Sequence, residues 1–345
     1  MHHYRAPAWL PSGHAQTIWP ALFARTRAAG VAPQAYRRER WDTPDRDFID
    51  VDFLEDAPEK AHETPAPSAA NEASEGLVMP DSRPTLVLFH GLEGSSQGSY
   101  ARAFADVAAR RGWRYAVPHF RGCSGELNRA PRAYHSGDFE EVDWILRRLR
   151  SRQAAPLMVV GISLGGNALM RWAAEQGDAA SAVVRSVASV CSPLDLTASG
   201  NCIDRGFNRE VYARMFLRTM KPRALAKWAQ HPGLFDRQRL MAARTLRAFD
   251  DVFTGPLHGF KGTDDYWHRA SAKPLLHRIR VPALALNARN DPFIPASSLP
   301  QPTAVGPCVE LWQPAHGGHV GFPAGAPPGH VLAMPEAVAH WLASA

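Results

Sequence analysis

The stretch Gly161-Ile162-Ser163-Leu164-Gly165 sets a serine between two glycines, directly after the apolar run Leu157-Met158-Val159-Val160. Residues of helix-forming composition, Asn167 to Glu175, follow it. In a strand–turn–helix setting this pattern is a nucleophile elbow. The serine occupies a sharp, strained turn, and positions two before and two after it come too close to other backbone to carry a Cβ. The turn projects the hydroxyl above the sheet and sets the following amides at a helix N-terminus, where they can stabilise an anion. The pattern occurs a second time in Gly94-Ser95-Ser96-Gln97-Gly98. There six residues separate Ser96 from the preceding apolar run, too many for an elbow, so Ser96 is read as loop.

A serine nucleophile needs a base, and the base needs an orienting carboxylate. Asp291 lies in the Pro-bounded turn Arg289-Asn290-Asp291-Pro292, just past the apolar run 281–286. Asp195, in Cys191-Ser192-Pro193-Leu194-Asp195, is the rival, and a plain turn-forming aspartate before proline is the blander reading of Asp291. After the last apolar run comes His316-Gly317-Gly318-His319-Val320-Gly321-Phe322. His319 stands between glycines, as a histidine on a tight turn requires, and is taken as the base; His316 is the alternative. A His-x-x-His zinc pair would need a third ligand, and the sequence carries no signature for one. No metal and no cofactor are therefore expected. The chain order Ser163, Asp291, His319 separates this constellation from the subtilisin-like and chymotrypsin-like orders.

An oxyanion site is also legible. One donor is the amide of the residue after the nucleophile, Leu164, and the other comes from the loop after the third strand. That loop is His90-Gly91-Leu92-Glu93-Gly94, which makes Leu92 the second donor. His90 is read as a structural histidine bracing the loop, and Glu93 as a solvated carboxylate.

These residues must be positioned by a scaffold. Short β-rich runs at 36–43, 48–54, 85–89, 115–117, 157–160, 183–190, 281–286 and 308–312 alternate with helical stretches such as 100–111 and 139–150. Runs this continuously apolar are strands buried on both faces, so the expected fold is α/β, a mostly parallel eight-stranded sheet with helices on both faces. The first two runs suit an antiparallel edge hairpin. Residues 56–83, rich in Ala, Pro, Glu and Ser, are read as a solvated loop. Residues 195–280 are too long for one crossover and read as a helical cap inserted into the core. The core is then formed by residues 1–194 and 281–345. Within the cap, Phe207, Tyr212, Met215 and Phe216 are read as core or as an acyl-pocket lining, and Asp250 and Asp251 as surface or capping residues.

Composition narrows the function. The 345 residues are 45% hydrophobic and 21% charged, a globular balance. No stretch approaches the roughly 18 to 20 apolar residues of a membrane span, and residues 1–28 hold no continuous apolar run. A cytoplasmic location without an integral membrane segment is expected. The net charge of +6 comes from 39 basic and 33 acidic residues with no block of five or six like charges. A nucleic-acid partner is not expected, while a weak preference for anionic ligands or lipid head groups stays open. Cys123, Cys191, Cys202 and Cys308 form no CxxC pair and read as free thiols.

Taken together, the sequence resembles the YheT-like branch of the α/β-hydrolase superfamily (the AB hydrolase 4 family), which also holds the ABHD1/ABHD3-type eukaryotic lipases. The resemblance covers nearly the whole chain. Besides the elbow it rests on Pro11-Ser-Gly-His14-Ala-Gln16-Thr17, Phe89-His-Gly-Leu-Glu-Gly94, Arg121-Gly-Cys-Ser-Gly125 and Tyr134-His-Ser-Gly137. Further blocks are Phe249-Asp-Asp-Val-Phe-Thr254, Gly259-Phe260, Asp265-Tyr266-Trp267 and Gly317-Gly-His319-Val-Gly-Phe322. It implies a serine hydrolase of carboxylic esters, with Ser163, Asp291 and His319 matching the family triad and a small-molecule or lipid ester as substrate. A lipid-directed phospholipase or thioesterase, or a ligand-binding homologue without catalysis, are the alternative readings. The segment 56–83 is longer than the family pattern.

Overall fold

Strands rich in Val, Leu and Ala, with no polar face to offer water, form the middle of one eight-stranded sheet. The computed structural model describes residues 1, 4–29, 34–55 and 82–345; nearly all of the segment expected as a solvated loop lies outside them. The strands are β1 (Tyr36–Asp42), β2 (Phe48–Leu54), β3 (Thr85–Phe89), β4 (Arg114–Pro118), β5 (Leu157–Ile162), β6 (Val184–Val190), β7 (Ala283–Leu286) and β8 (Val309–Trp312). Their order is β1-β2-β4-β3-β5-β6-β7-β8. From β4 to β8 every neighbouring pair is parallel, and β2 runs antiparallel to both β1 and β4. The edge hairpin expected from the first two runs is β1–β2.

Alternation along each strand divides the core in two. Val87, Phe89, Val159, Val187 and Ala283 face one layer of helices, and Leu86, Leu88, Met158, Val160 and Leu284 face the other. Helices α3 (Phe139–Arg150) and α4 (Leu164–Gln176) cover the first face. Helices α2 (Ser99–Arg110) and α12 (Ala333–Ser344) cover the second. A further helix, α1 (Gly13–Phe23), precedes β1.

The aspartates of β2 are buried rather than solvated, and arginines of β1 neutralise them. The register sets Arg38 opposite Asp52 and Arg40 opposite Asp50. Both pairs are bidentate, with Arg38 Nε and Nη2 at 2.7 and 2.9 Å and Arg40 Nε and Nη2 at 2.8 Å each. Cross-strand neighbours are close enough for such forks.

Between β6 and β7 the chain is helical. It runs through α5 (Leu196–Ile203), α6 (Gly206–Asn208), a π-type turn at Arg209–Ala213 and α7 (Arg214–Gln230). It continues through α8 (Arg237–Ala242), α9 (Leu246–Val252), α10 (Thr254–Leu257) and α11 (Thr263–Ala270). Tyr212, Leu217, Phe249 and Phe253 of this stretch pack with Phe293 and Leu299, which follow β7. Among the described residues no helix is long and apolar enough to cross a membrane.

Trp172 of α4 is fully buried, with its indole N–H donated to Asp143 Oδ1 of α3 at 2.9 Å. Trp172→Ala should therefore lower stability by about 3 to 5 kcal/mol, seen as a lower urea midpoint at unchanged denaturant slope. An unchanged midpoint would contradict this account of the α3–α4 layer.

Candidate active site

β5 ends at Ile162 and α4 begins at Leu164, so Ser163 alone makes the turn, at φ 51° and ψ −117°. A non-glycine residue avoids this region unless its surroundings enforce it. They do so through backbone. The Ser163 amide donates to Val190 O at 2.9 Å, and its carbonyl accepts from the Gly166 and Asn167 amides at 3.0 and 3.2 Å. A Cβ on Gly161 would meet Gly165 O at 2.5 Å, and one on Gly165 would meet the carbonyl oxygens of Phe89 and His90 at 2.5 Å. Main chain cannot give way there, which is why both flanking positions are glycine. Asn167 is buried in the next turn, donating to Ser136 O and Ala270 O and accepting from the Ala272 amide.

The structure brings the three residues singled out by sequence into one chain of hydrogen bonds. His319 Nε2 lies 3.0 Å from Ser163 Oγ, and His319 Nδ1 lies 2.9 Å from Asp291 Oδ2. The other Asp291 oxygen accepts from the Phe293 amide at 2.8 Å. The ring of Phe293 rests on the imidazole with centroids 4.2 Å apart.

The histidine loop is held from the far end of the chain. Gln16, buried in α1, accepts from the Gly317 amide at 2.8 Å and from Asn290 Nδ2 at 3.0 Å, and donates to Leu10 O. Thr17 Oγ1 accepts from the His319 amide at 2.8 Å. Val320 and Phe322 have positive φ, at 63° and 39°, so the loop needs this bracing. Sequence reasoning did not assign Gln16 and Thr17 a task. Their only signal was the Pro11-to-Thr17 block in the resemblance.

The rival residues are elsewhere. Asp195 caps α5, accepting from the Ala198 amide, and pairs with Lys273 at 3.4 Å. His316 is exposed, with Asn290 as its contact. Ser96 is buried and donates to Asp52 Oδ2 at 2.6 Å. His90 is structural: its Nε2 accepts from the Phe120 amide, so its Nδ1–H donates to Gly91 O at 2.8 Å. Burial pushes its pKa down to about 3, with His119 adding to the effect.

The loop after β3 passes against the elbow, and a Cβ on Gly91 would lie 3.3 Å from Ser163 Cβ. Tyr100 Oη accepts from the Gly91 amide and Tyr134 Oη from the Glu93 amide. Between them, the Leu92 amide has no acceptor among the described residues, and neither has the Leu164 amide. Glu93 is not the solvated carboxylate expected. Its side chain is 10% exposed, receives the Tyr134 hydroxyl at 3.0 Å and meets Arg223 of α7 at 3.3 Å. A positive φ of 58° turns it inward.

A cavity of about 160 Å³ opens beside Ser163 and Leu92, walled by Phe216, Met220, Phe249 and Trp267. Asp250, expected as a surface or capping residue, lines it as well. Its Oδ2 accepts from the Trp267 indole at 2.9 Å. Burial pushes its pKa up to about 6 against these hydrogen bonds, and Asp204 and Asp251 add to the rise. Of the four aromatic or sulfur-bearing residues read as core, Tyr212 is buried and Phe216 lines the cavity, but Phe207 and Met215 are 56% and 51% exposed.

Comparisons with known proteins identify the fold and the family. A family model described as alpha/beta hydrolase fold matches residues 84–326. Among curated proteins the chain is 38% identical to YheT of Escherichia coli (strain K12), an esterase by name, over 90% of this chain and 84% of that one. It is 28% identical to human phospholipase ABHD3 over 92% of this chain and 73% of that one. Among solved structures, the Pyrococcus furiosus esterase Pf2001 superposes with a TM-score of 0.51 at 14% identity, covering 92% of this chain and 95% of that one.

Two expectations follow. Gln16→Ala should destabilise the protein by about 1 to 3 kcal/mol, because it leaves the buried Gly317 amide unpaired; unaltered thermal unfolding would show that the loop stands without it. Asp250 has a raised pKa when folded, so the folded state holds its proton between about pH 4 and 6 after the unfolded chain has lost it. Stability therefore falls as pH rises through that window. Asp250→Asn should raise the urea midpoint at pH 8 and leave it nearly unchanged at pH 4; an equal effect at both would refute the assignment.

Proposed function

The chain belongs to the α/β-hydrolase fold family, in its YheT-like branch, and on that premise we propose that it hydrolyses carboxylic esters through a Ser163–His319–Asp291 triad. The hydroxyl–imidazole–carboxylate chain at 3.0 and 2.9 Å carries the proposal. In this reading His319 Nε2 takes the Ser163 proton as Oγ attacks the ester carbonyl carbon. The carbonyl oxygen becomes an anion facing the Leu92 and Leu164 amides, each worth about 3 kcal/mol to the transition state. Collapse of the tetrahedral adduct breaks the bond to the leaving alcohol, whose oxygen takes the proton from the imidazolium. Water then adds to the acyl-enzyme by the same base, releasing the acid and restoring the serine. Asp291 fixes the tautomer, with Nδ1 protonated, and supports the positive charge on the ring.

The substrate class follows from the walls. A lining of Phe, Met, Leu and Trp side chains beside Ser163 suits an apolar acyl group. Residues 195–280 act as a cap in this reading, since α7 and α9 supply much of that lining.

Ser163→Ala should abolish both turnover of p-nitrophenyl esters and labelling by a fluorophosphonate probe. Asp291→Asn should lower kcat by roughly 10⁴ with little change in KM. Turnover retained by pure Ser163→Ala protein would overturn the assignment, as would a folded native protein that the probe does not label.

A further inference from the structure

One helical stretch between β6 and β7 is densely basic. Residues 205–227 hold seven basic side chains (Arg205, Arg209, Arg214, Arg218, Lys221, Arg223 and Lys227) against one acid, Glu210, a surplus of six. Other stretches are also basic, such as 144–174 and 266–290 with five arginines or lysines and no acid each, so what sets this one apart is how the fold displays it.

The structure sorts these residues by face. Met220, Arg223, Ala224 and Lys227 of α7 turn inward to the cavity. The outward side carries Arg205, Arg209, Arg214 and Arg218, all exposed, interleaved with Phe207 and Met215. Arg209 pairs with Glu210 at 2.8 Å. Arg205, Arg214 and Arg218 have no carboxylate partner among the described residues. Met241 of α8, 48% exposed, adjoins this face, because Lys221 Nζ donates to its carbonyl oxygen at 2.7 Å. Five large apolar side chains are exposed among the described residues; two of them lie on this face and Met241 is a third beside it.

A folded protein keeps single apolar side chains on its surface without consequence. Large apolar groups set among unpaired arginines on one helical face are a different matter, because water solvates the first poorly and nothing neutralises the second. A surface that offers negative charge and a hydrocarbon layer together satisfies both. We propose that the outer face of the α6–α7 segment docks the protein on an anionic lipid surface, with Phe207 and Met215 entering the head-group layer and Arg205, Arg214 and Arg218 meeting lipid phosphates. Because the inner face of the same helix lines the cavity beside Ser163, docking sets the cavity wall against the layer. The docking itself stands apart from the hydrolase reading; only the benefit to catalysis rests on it.

The test is co-sedimentation of the full chain, as Ser163→Ala so that no lipid is consumed, with vesicles of phosphatidylcholine alone or mixed with phosphatidylglycerol. Binding is expected to the mixed vesicles only and to weaken steeply at 0.5 M salt. Arg205→Glu/Arg214→Glu/Arg218→Glu should reduce it by roughly 100-fold, and Phe207→Ser/Met215→Ser at least several-fold. In the wild-type serine background both sets should melt normally and turn over a monomeric short-chain p-nitrophenyl ester at the parental rate. Equal binding to neutral vesicles, salt-independent binding, or unchanged binding by either set would overturn the proposal. So would retention on heparin or RNA with none on vesicles, which would assign the face to a soluble polyanion. Because binding is read without turnover, its failure would leave the triad assignment untouched.

Discussion

The site depends on how closely main chain approaches main chain around Ser163. Gly161, Gly165 and Gly166 pack with no room for a Cβ, and one on Gly166 would sit 1.9 Å from Ser192 Oγ. That contact forces the serine into a region it would otherwise avoid and leaves the first amide of α4 without an acceptor. Strand order then does the rest. β3 is the direct neighbour of β5, with Phe89 opposite Gly161, so the chain leaving β3 at His90 must pass beside the elbow. The loop carrying the free Leu92 amide is brought beside the elbow by register, not by a long-range search.

The other half of the site has no such neighbour. β7 lies two strands from β5 and β8 lies three away, roughly 10 and 14 Å at ordinary strand spacing. Asp291 can lean back from a short turn, but His319 must be carried across the ends of two strands. The loop that carries it is irregular and contains two non-glycine residues at positive φ, a conformation that isolated chain would not hold. Gln16 and Thr17 supply the restraint, and Gly13, Gly318 and Gly321 mark how tightly α1 is pressed on. A Cβ on Gly321 would meet Gln16 O at 1.8 Å, and one on Gly13 would meet Asn290 O at 1.9 Å. The N-terminal helix is therefore part of the site's architecture though it contributes no reacting group.

This division explains what could be read from the sequence. The strands were legible because runs such as 157–160 and 281–286 are apolar on both faces, and only a covered sheet buries both. Ser163, Asp291 and His319 were legible because each follows a strand in a turn whose small or turn-forming neighbours are themselves a signal. Gln16 was not, since a single glutamine in a short helix looks like any surface residue and Gly317, whose amide it accepts, lies 301 positions away. Glu93 was misread because a carboxylate in a loop is usually hydrated, and its partners Tyr134 and Arg223 come from other elements. Phe207 and Met215 were misread for the opposite reason. Aromatic and sulfur-bearing side chains are most often interior, and only the fold shows that this helix gives its inner face to other residues.

The helical segment and His319 share an aromatic ring. Phe293 packs in the same cluster as Tyr212 and Leu217, meets Tyr212 edge-on at 4.6 Å, and lies against His319 at 4.2 Å. Tyr212 Oη lies 3.0 Å from His14 Nδ1 of α1, the helix that also restrains the histidine loop. A displacement of the α6–α7 end of the segment would therefore uncover the imidazole and loosen the brace behind it together. Arg223 extends the same dependence to the oxyanion side, because its bond to Glu93 connects α7 with the loop bearing Leu92. Both His319 and the loop bearing the Leu92 amide are thus set partly by where α7 rests. Any surface that fixed the outer face of this helix would bear on His319 through Phe293 and on the Leu92 loop through Glu93.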